Sequence, residues 1–200
     1  MKEIIIATKN PGKAKEFQEI FKPLGYQVKT LLDFPEIPDV DETGKTFHEN
    51  ALLKAQEIAT KLNRPVIADD SGLEIDSLGG RPGIYSARYA GEPKDDQRNI
   101  QKVLEEMKDV SDEKRTAHFT CVLAVVIPGN EPELFEGRCD GVILREKRGE
   151  HGFGYDPIFY VPEKGKTLAE MTPAEKQSVS HRGEAIAKFR EWFEKEWSGE

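Results

Sequence analysis

The chain has 200 residues, 37% hydrophobic and 33% charged, with a formal net charge of −8. That length and apolar content supply one core, or a core with an appended lobe, and the acidic balance argues against a protein that coats DNA or RNA through its bulk field. MKEIIIATKN turns polar after a short apolar run and no apolar stretch reaches spanning length, so neither a secretory leader nor a membrane contact is expected and the chain reads as cytoplasmic.

Ile4 to Ala7 is a short β-rich run that predicts a buried strand. The polar loop TKNPGK follows from Thr8 to Lys13, and Ala14, Phe17, Ile20, Phe21 and Leu24 then recur at helical spacing, with Gly25 as the stop. Val28 to Leu32 predicts a second strand, and Asp33 to Lys45 a loop rich in Pro and acid. Thr46 and Glu49 fit a capping box that opens a helix whose apolar face is Phe47, Ala51, Ala55, Ile58, Ala59 and Leu62. Pro65 to Ala68 predicts the next strand, and Leu73 to Gly91 reads as Gly-rich and irregular. Asp95 or Asp96 caps a helix that carries Ile100, Val103, Leu104 and Met107.

His118 to Ile127 and Leu134 to Leu144 flank the turn PGNEPE and predict a long antiparallel hairpin. HGFGYDPIFYVPE reads as a loop. Thr172, Pro173 and Glu175 open a further helix with a cap, a Pro at the first position and an acid in the first turn. Ala185, Ile186, Phe189, Phe193 and Trp197 give the last helix its apolar face. Cys121 and Cys139 stand in no metal-ligand spacing and read as buried or half-buried thiols. The predicted class is mixed α/β with a partly antiparallel sheet, the hairpin being placed to form a second lobe with a cleft beside it.

The chemistry concentrates in five stretches. In VIADDSG, Asp69 and Asp70 are adjacent like charges whose repulsion grows with burial. An Asp-Ser-Gly turn or a helix N-cap accounts for them locally, and a divalent cation accounts for them by charge; taken by itself the stretch favours the turn. TKNPGK sets Lys13 at a helix start, against the dipole, which an anionic ligand explains and a solvated polar turn also accommodates. It lacks the P-loop spacing. Glu42 in the loop before the capped helix and Lys54 on that helix are either ligand groups or surface charges.

Phe153 between two glycines fits a ring that covers a flat ligand, such stacking being worth about 1–3 kcal/mol per base, or a ring that anchors its loop. KQSVSHRGEA sets Lys176, Ser180, His181 and Arg182 at a helix junction, where the plain alternative is a Ser180 cap with two exposed basic residues. Together these groups are the inventory for a nucleotide with a metal-bound polyphosphate.

T-x-N-x-x-K, E-T-G-x-T-F-x-E-N-A, A-D-D-S-G-L, G-G-x-P-G-I-Y-S-A-R, F-G-Y-D-P and S-H-R-x-x-A occur in that order between Thr8 and Ala185. On these motifs the chain closely resembles the inosine/xanthosine triphosphate pyrophosphatase family, which removes deaminated purine nucleotides from the precursor pool. The resemblance implies a mixed α/β fold with an elongated central sheet and flanking helices, one domain over residues 1–200 in two lobes without a linker, and an active-site cleft between the lobes. It also implies a homodimer, a requirement for Mg2+, and hydrolysis of inosine, deoxyinosine or xanthosine triphosphate to the monophosphate and pyrophosphate. By that likeness Thr8, Asn10, Lys13 and Lys54 hold phosphates, and Glu42 and Asp70 bind the metal, with Asp70 also the proton acceptor. Ser71 contacts substrate, and Phe153, Gly154, Tyr155, Asp156, Lys176, His181 and Arg182 line the nucleoside pocket. Asp69 is left to orient a lysine or a metal water.

Three other readings compete. A nucleotide sensor needs the same residues without turnover. A metal-dependent nuclease is opposed by the acidic balance and the lack of a basic stripe. A pyrophosphatase for modified pyrimidine nucleotides is opposed by S-H-R together with F-G-Y-D-P.

Overall fold

The computed structural model describes residues 2–196, and Trp197, expected on the last helix, lies outside them. The strands are β1 (Lys2–Ile6), β2 (Tyr26–Thr30), β3 (Val66–Ile75), β4 (Thr116–Val126), β5 (Glu133–Ile143), β6 (Phe159–Val161) and β7 (Lys166–Thr167). The helices are α1 (Pro11–Phe21), α2 (Phe47–Leu62), α3 (Asp96–Glu106), α4 (Pro173–Val179) and α5 (His181–Glu196). The strands form one open sheet in the order β2-β1-β3-β4-β5-β6-β7. It is mixed, as expected: β1 is parallel to β2 and β3, whereas β5–β6 and β6–β7 are antiparallel. Among the described residues no helix is long and apolar enough to cross a membrane.

The chain divides into two compact units. The first holds the residues up to Asp70, Cys121–Gly137 and the chain from Ala185 onward. Its core joins Phe17, Ile20 and Phe21 of α1, at helical spacing, to Ile6, Ile67, Leu123 and Phe189. The second holds Ser71–Thr120 and Arg138–Glu184. Its core joins Ile100 and Val103 of α3 to Leu73, Ile75, Phe119 and Phe159. Cys121 and Cys139 are buried free thiols.

The structure corrects several local expectations. The Asp69–Gly72 stretch is neither a turn nor a helix cap: β3 runs straight through it to Ile75. Leu73 and Ile75 are fully buried two residues apart, which requires the extended alternation of a strand and outweighs the turn propensity of Asp, Ser and Gly. The second strand ends at Thr30, because Thr30 and Asp33 cap each other's backbone and wind Leu31–Asp33 into a 3-10 turn. Helix α1 ends at Phe21, and Leu24 belongs to a 3-10 turn that Gly25 closes at φ 82°. The capping box at Thr46 is only half present: Thr46 Oγ1 accepts the Glu49 N–H, but the Glu49 carboxylate accepts the N–H of Lys45 instead. At Thr172 and Glu175 the box is complete. The segment read as a loop around Tyr155 contains a 3-10 turn over Asp156–Ile158 and then β6.

Candidate active site

In the first unit the polar groups gather just past the end of β1 and around Asp69 and Asp70 in the middle of β3. Thr8 Oγ1 accepts the Asn10 N–H at 3.1 Å, and Asn10 Oδ1 accepts the N–H groups of Gly12 and Lys13 at 2.9 and 3.2 Å. Asn10 is therefore the N-cap of α1, with Pro11 at the first helical position. Two of the helix's N-terminal donors are satisfied by that cap, and Lys9 is turned to Asp39 and the Ile37 carbonyl, so the cation this loop sets beside β3 is the Lys13 ammonium.

Lys13 Nζ stands 3.1 Å from Asp69 Oδ2. Lys54 Nζ stands 2.7 Å from Glu42 Oε1 and donates to the Asp69 carbonyl at 3.0 Å. Both lysines are thus tied to the acids that the sequence places in separate segments. The loop carrying Glu42 has its own brace: the Gly44 N–H donates to Oδ1 of the fully buried Asn50 at 2.8 Å. A Cβ on Gly44 would sit 2.6 Å from that same oxygen, so the bond requires glycine. Nothing in the sequence reading singled out Asn50; its only signal was its place in the E-T-G-x-T-F-x-E-N-A motif.

Asp70 differs from its neighbour. It is 5% exposed, and its Oδ2 makes no hydrogen bond among the described residues. A buried acceptor left so costs about 1–3 kcal/mol, and more when it is charged. Burial raises the Asp70 pKa to about 6; Glu42 and Asp69 push in the same direction, and Lys54 and Lys13 oppose it. For Lys54, burial pulls the pKa down, but the nearby carboxylates of Glu42, Asp70 and Asp69 outweigh it and the net shift is upward. The first unit therefore holds charged lysines beside a carboxylate that needs a counter-charge. Among the described residues no three Cys, His, Asp or Glu side chains form a ready-made metal cage.

In the second unit the loop Phe153–Asp156 is held at every residue. The Phe153 N–H donates to Asp156 Oδ2 at 3.1 Å, and Lys176 Nζ reaches the same oxygen at 2.7 Å. The Gly154 N–H donates to Asp96 Oδ2 at 2.9 Å, and the Tyr155 hydroxyl donates to the Ser86 carbonyl at 2.6 Å. Lys176 Nζ lies 4.9 Å from the Phe153 ring centroid and the Arg182 guanidinium 5.9 Å from it.

The reading of two exposed basic residues at the helix junction does not hold. Ser180 does cap α5, its Oγ accepting the Gly183 N–H, but His181 and Arg182 are both buried. His181 stacks on Phe119, ring centroids 4.7 Å apart, and Arg182 Nη2 donates to Ser71 Oγ at 3.0 Å. Sequence reasoning exposes charges by default, and only tertiary packing buries these two.

Gly152 carries a testable consequence. At φ 75°, a Cβ there would lie 2.1 Å from Asp156 Oδ2, in the loop that the Asp156–Lys176 pair secures. Gly152→Ala is expected to destabilise the protein by about 1–3 kcal/mol through backbone strain and overpacking. Urea denaturation of the two proteins reads this directly, and an unchanged midpoint would contradict it.

The predicted site residues thus fall into two connected sets: Thr8, Asn10, Lys13, Glu42, Lys54 and Asp70 in the first unit, the rest in the second. Asp70 and Ser71, consecutive in β3, are one of the four points at which the chain passes from one unit to the other. Asp69, outside the predicted set, pairs with Lys13.

The Ham1 family model matches residues 4–192 of the chain. The dITP/XTP pyrophosphatase of Geobacillus kaustophilus is 59% identical over 194 residues, 97% of this chain and 95% of that protein. The dITP/XTP pyrophosphatase of Bacillus subtilis is 58% identical over 194 residues, with 97% and 98% covered. Among solved structures, the Ham1 protein of Staphylococcus aureus superposes with a TM-score of 0.85 at 47% identity, covering 98% of this chain and 100% of its own. A HAM1 protein from Coxiella burnetii gives 0.86 at 43% identity, with the same coverage.

Proposed function

We propose that this chain, which belongs to the Ham1 family, hydrolyses deaminated purine nucleoside triphosphates to the monophosphate and pyrophosphate. The relatives named dITP/XTP pyrophosphatase support the substrate class. The observation that carries the reading is Asp70: a buried carboxylate whose Oδ2 makes no hydrogen bond among the described residues, in the same unit as Glu42 and two paired lysines.

The donor set fits Mg2+, which prefers oxygen ligands and usually joins one or two carboxylates to substrate phosphates rather than occupying an all-protein cage. Glu42 and Asp70 would hold it. When bound, the ion supplies positive charge for the polyphosphate and acidifies the water that attacks.

The chain's own groups do the rest. The water oxygen bonds to the α-phosphorus as the bond to the bridging oxygen breaks, and Asp70 takes the water's proton. In the metal-free protein burial pushes the Asp70 carboxyl up to about 6, so it is ionised at neutral pH and able to accept a proton. Lys13 and Lys54 neutralise the pyrophosphate as its charge develops. Their existing partners, Asp69 and Glu42, hold both ammonium groups in place before substrate arrives.

In the second unit Phe153 stacks on the base, and Arg182 reads its keto oxygen. Hypoxanthine and xanthine present an acceptor at O6, where adenine presents an amino donor. A guanidinium can only donate.

The test is a purine triphosphate panel with Mg2+, read for pyrophosphate and orthophosphate separately. Pyrophosphate from inosine, deoxyinosine and xanthosine triphosphates, and little product from adenosine triphosphate, is expected. Orthophosphate as first product would move the attack to the γ-phosphorus, and binding without turnover would make the chain a sensor.

A further inference from the structure

The base-side loop is held by a frame that no substrate role explains, and the geometry points to Asp96 as a positioning residue for Phe153. This inference rests on the proposed function and deepens it.

Asp95 and Asp96 both read as possible caps of α3, and the structure gives them separate tasks. Asp95 is the cap: its Oδ1 accepts the N–H groups of Gln97 and Arg98 at 2.9 and 3.1 Å. Asp96 is therefore not needed to start the helix. Its Oδ2 reaches across 58 positions of sequence to accept the Gly154 N–H at 2.9 Å. Gly154 directly follows Phe153 and sits at φ 59°, in the left-handed region that favours glycine.

The helix that carries Asp96 is itself fixed. Asn99, one turn further along α3, is 2% exposed, and its side chain accepts the Ala90 N–H at 2.8 Å and donates to the Ala87 carbonyl at 3.0 Å. It thus clamps α3 to the turn Gly83–Arg88. That turn offers the Ser86 carbonyl to the Tyr155 hydroxyl, while Ser86 Oγ accepts the Leu73 N–H of β3 at 2.9 Å. The G-G-x-P-G-I-Y-S-A-R motif, which the reaction leaves without a task, is thereby the socket for Tyr155. Phe153 and Gly154 are pinned from α3 and from this turn together. A ring held beforehand in its stacking position loses less conformational freedom when the base binds, and the gain falls on substrate affinity rather than on bond cleavage.

The test compares wild type with Asp96→Ala and Asp96→Asn, using inosine triphosphate as substrate and inorganic tripolyphosphate as a competitive probe of the phosphate end. Wild-type turnover is scored first; its absence sinks the proposed function and leaves the Gly154 amide to be judged by hydrogen exchange alone. Asp96→Ala is expected to raise KM about tenfold, the size of a lost hydrogen bond to a charged group, with kcat within about threefold of wild type. Tripolyphosphate inhibition stays unchanged. Asp96→Asn, whose amide oxygen still accepts the Gly154 N–H, returns KM to within about threefold of wild type. Exchange of the Gly154 amide speeds up in the Ala variant and stays protected in the Asn variant. An unchanged KM in Asp96→Ala, a parallel loss of tripolyphosphate inhibition, or an Asn variant as impaired as the Ala variant overturns the assignment.

Discussion

Asp70→Asn is expected to lower turnover of inosine triphosphate by about 10²–10⁴-fold, the usual worth of a positioned general base, and at the same time to stabilise the ligand-free protein above pH 6. The first effect follows because an amide cannot take the water's proton. The second follows from the direction of the pKa shift. In the folded protein the Asp70 carboxyl titrates near 6, against an ordinary value of 3.8, and burial is the largest cause.

A group with a raised folded pKa binds its proton more tightly in the native state. Its contribution to stability is present in full below pH 3.8 and is lost as pH rises through 6. Above that, both states are ionised, and the native state carries the full penalty of a buried charge, on the order of 2–3 kcal/mol at 1.36 kcal/mol per pKa unit. Asparagine removes the charge and most of the penalty. Urea denaturation in the presence of a chelator checks this: the stability difference between Asn variant and wild type is larger at pH 8 than at pH 4. Adding Mg2+ and a non-hydrolysable triphosphate reverses the order, since only wild type offers both carboxylates. Full activity in the variant removes Asp70 from the role of base, and a pH-independent difference removes the buried charge as the source of the instability.

The same residue shows where sequence reading reaches and where it stops. The apolar faces of α1, α2 and α3 were legible because helical spacing is local: Phe17, Ile20 and Phe21 declare a buried stripe without reference to any other part of the chain. The first part of β3 was read as a strand from Pro65 to Ala68, but its continuation was not, because Asp69, Asp70, Ser71 and Gly72 all prefer turns, and what extends them is neighbouring strands and the burial of Leu73 and Ile75. The candidate site was legible as a set of residue types, through motifs spread from Thr8 to Arg182. Its internal wiring was not. That Lys13 pairs with Asp69, that Asn50 holds the Glu42 loop and that Asp96 holds Gly154 are facts of tertiary contact. Arg182 was misjudged in the alternative that left it exposed, for the same reason: a lone sequence cannot supply the partners that make burial of a charge tolerable.

Arg182→Ala is the second substitution with a large expected effect, and its readout is a ratio. Arg182 is 2% exposed, and its guanidinium donates to Ser71 Oγ and lies beside the Phe153 ring. Truncating so large a buried side chain destabilises the fold, and the loss from that cause falls on every substrate alike. The base-reading loss does not. A site built to donate to a keto oxygen favours inosine triphosphate by the bond it makes and disfavours adenosine triphosphate by the buried donor it leaves unmatched. Removing the donor takes away both terms.

For Arg182→Ala, kcat/KM for inosine triphosphate is expected to fall by about 10²-fold or more, and for adenosine triphosphate by less than about tenfold, so that discrimination collapses. Arg182→Lys keeps the charge but loses the planar fork, so it recovers stability more than it recovers discrimination. Equal losses on the two nucleotides in both variants would take Arg182 out of base recognition and leave it as a structural cation beneath Phe153. Because unfolding cannot favour one purine over another, the ratio separates the two roles even if the Ala variant is only partly folded.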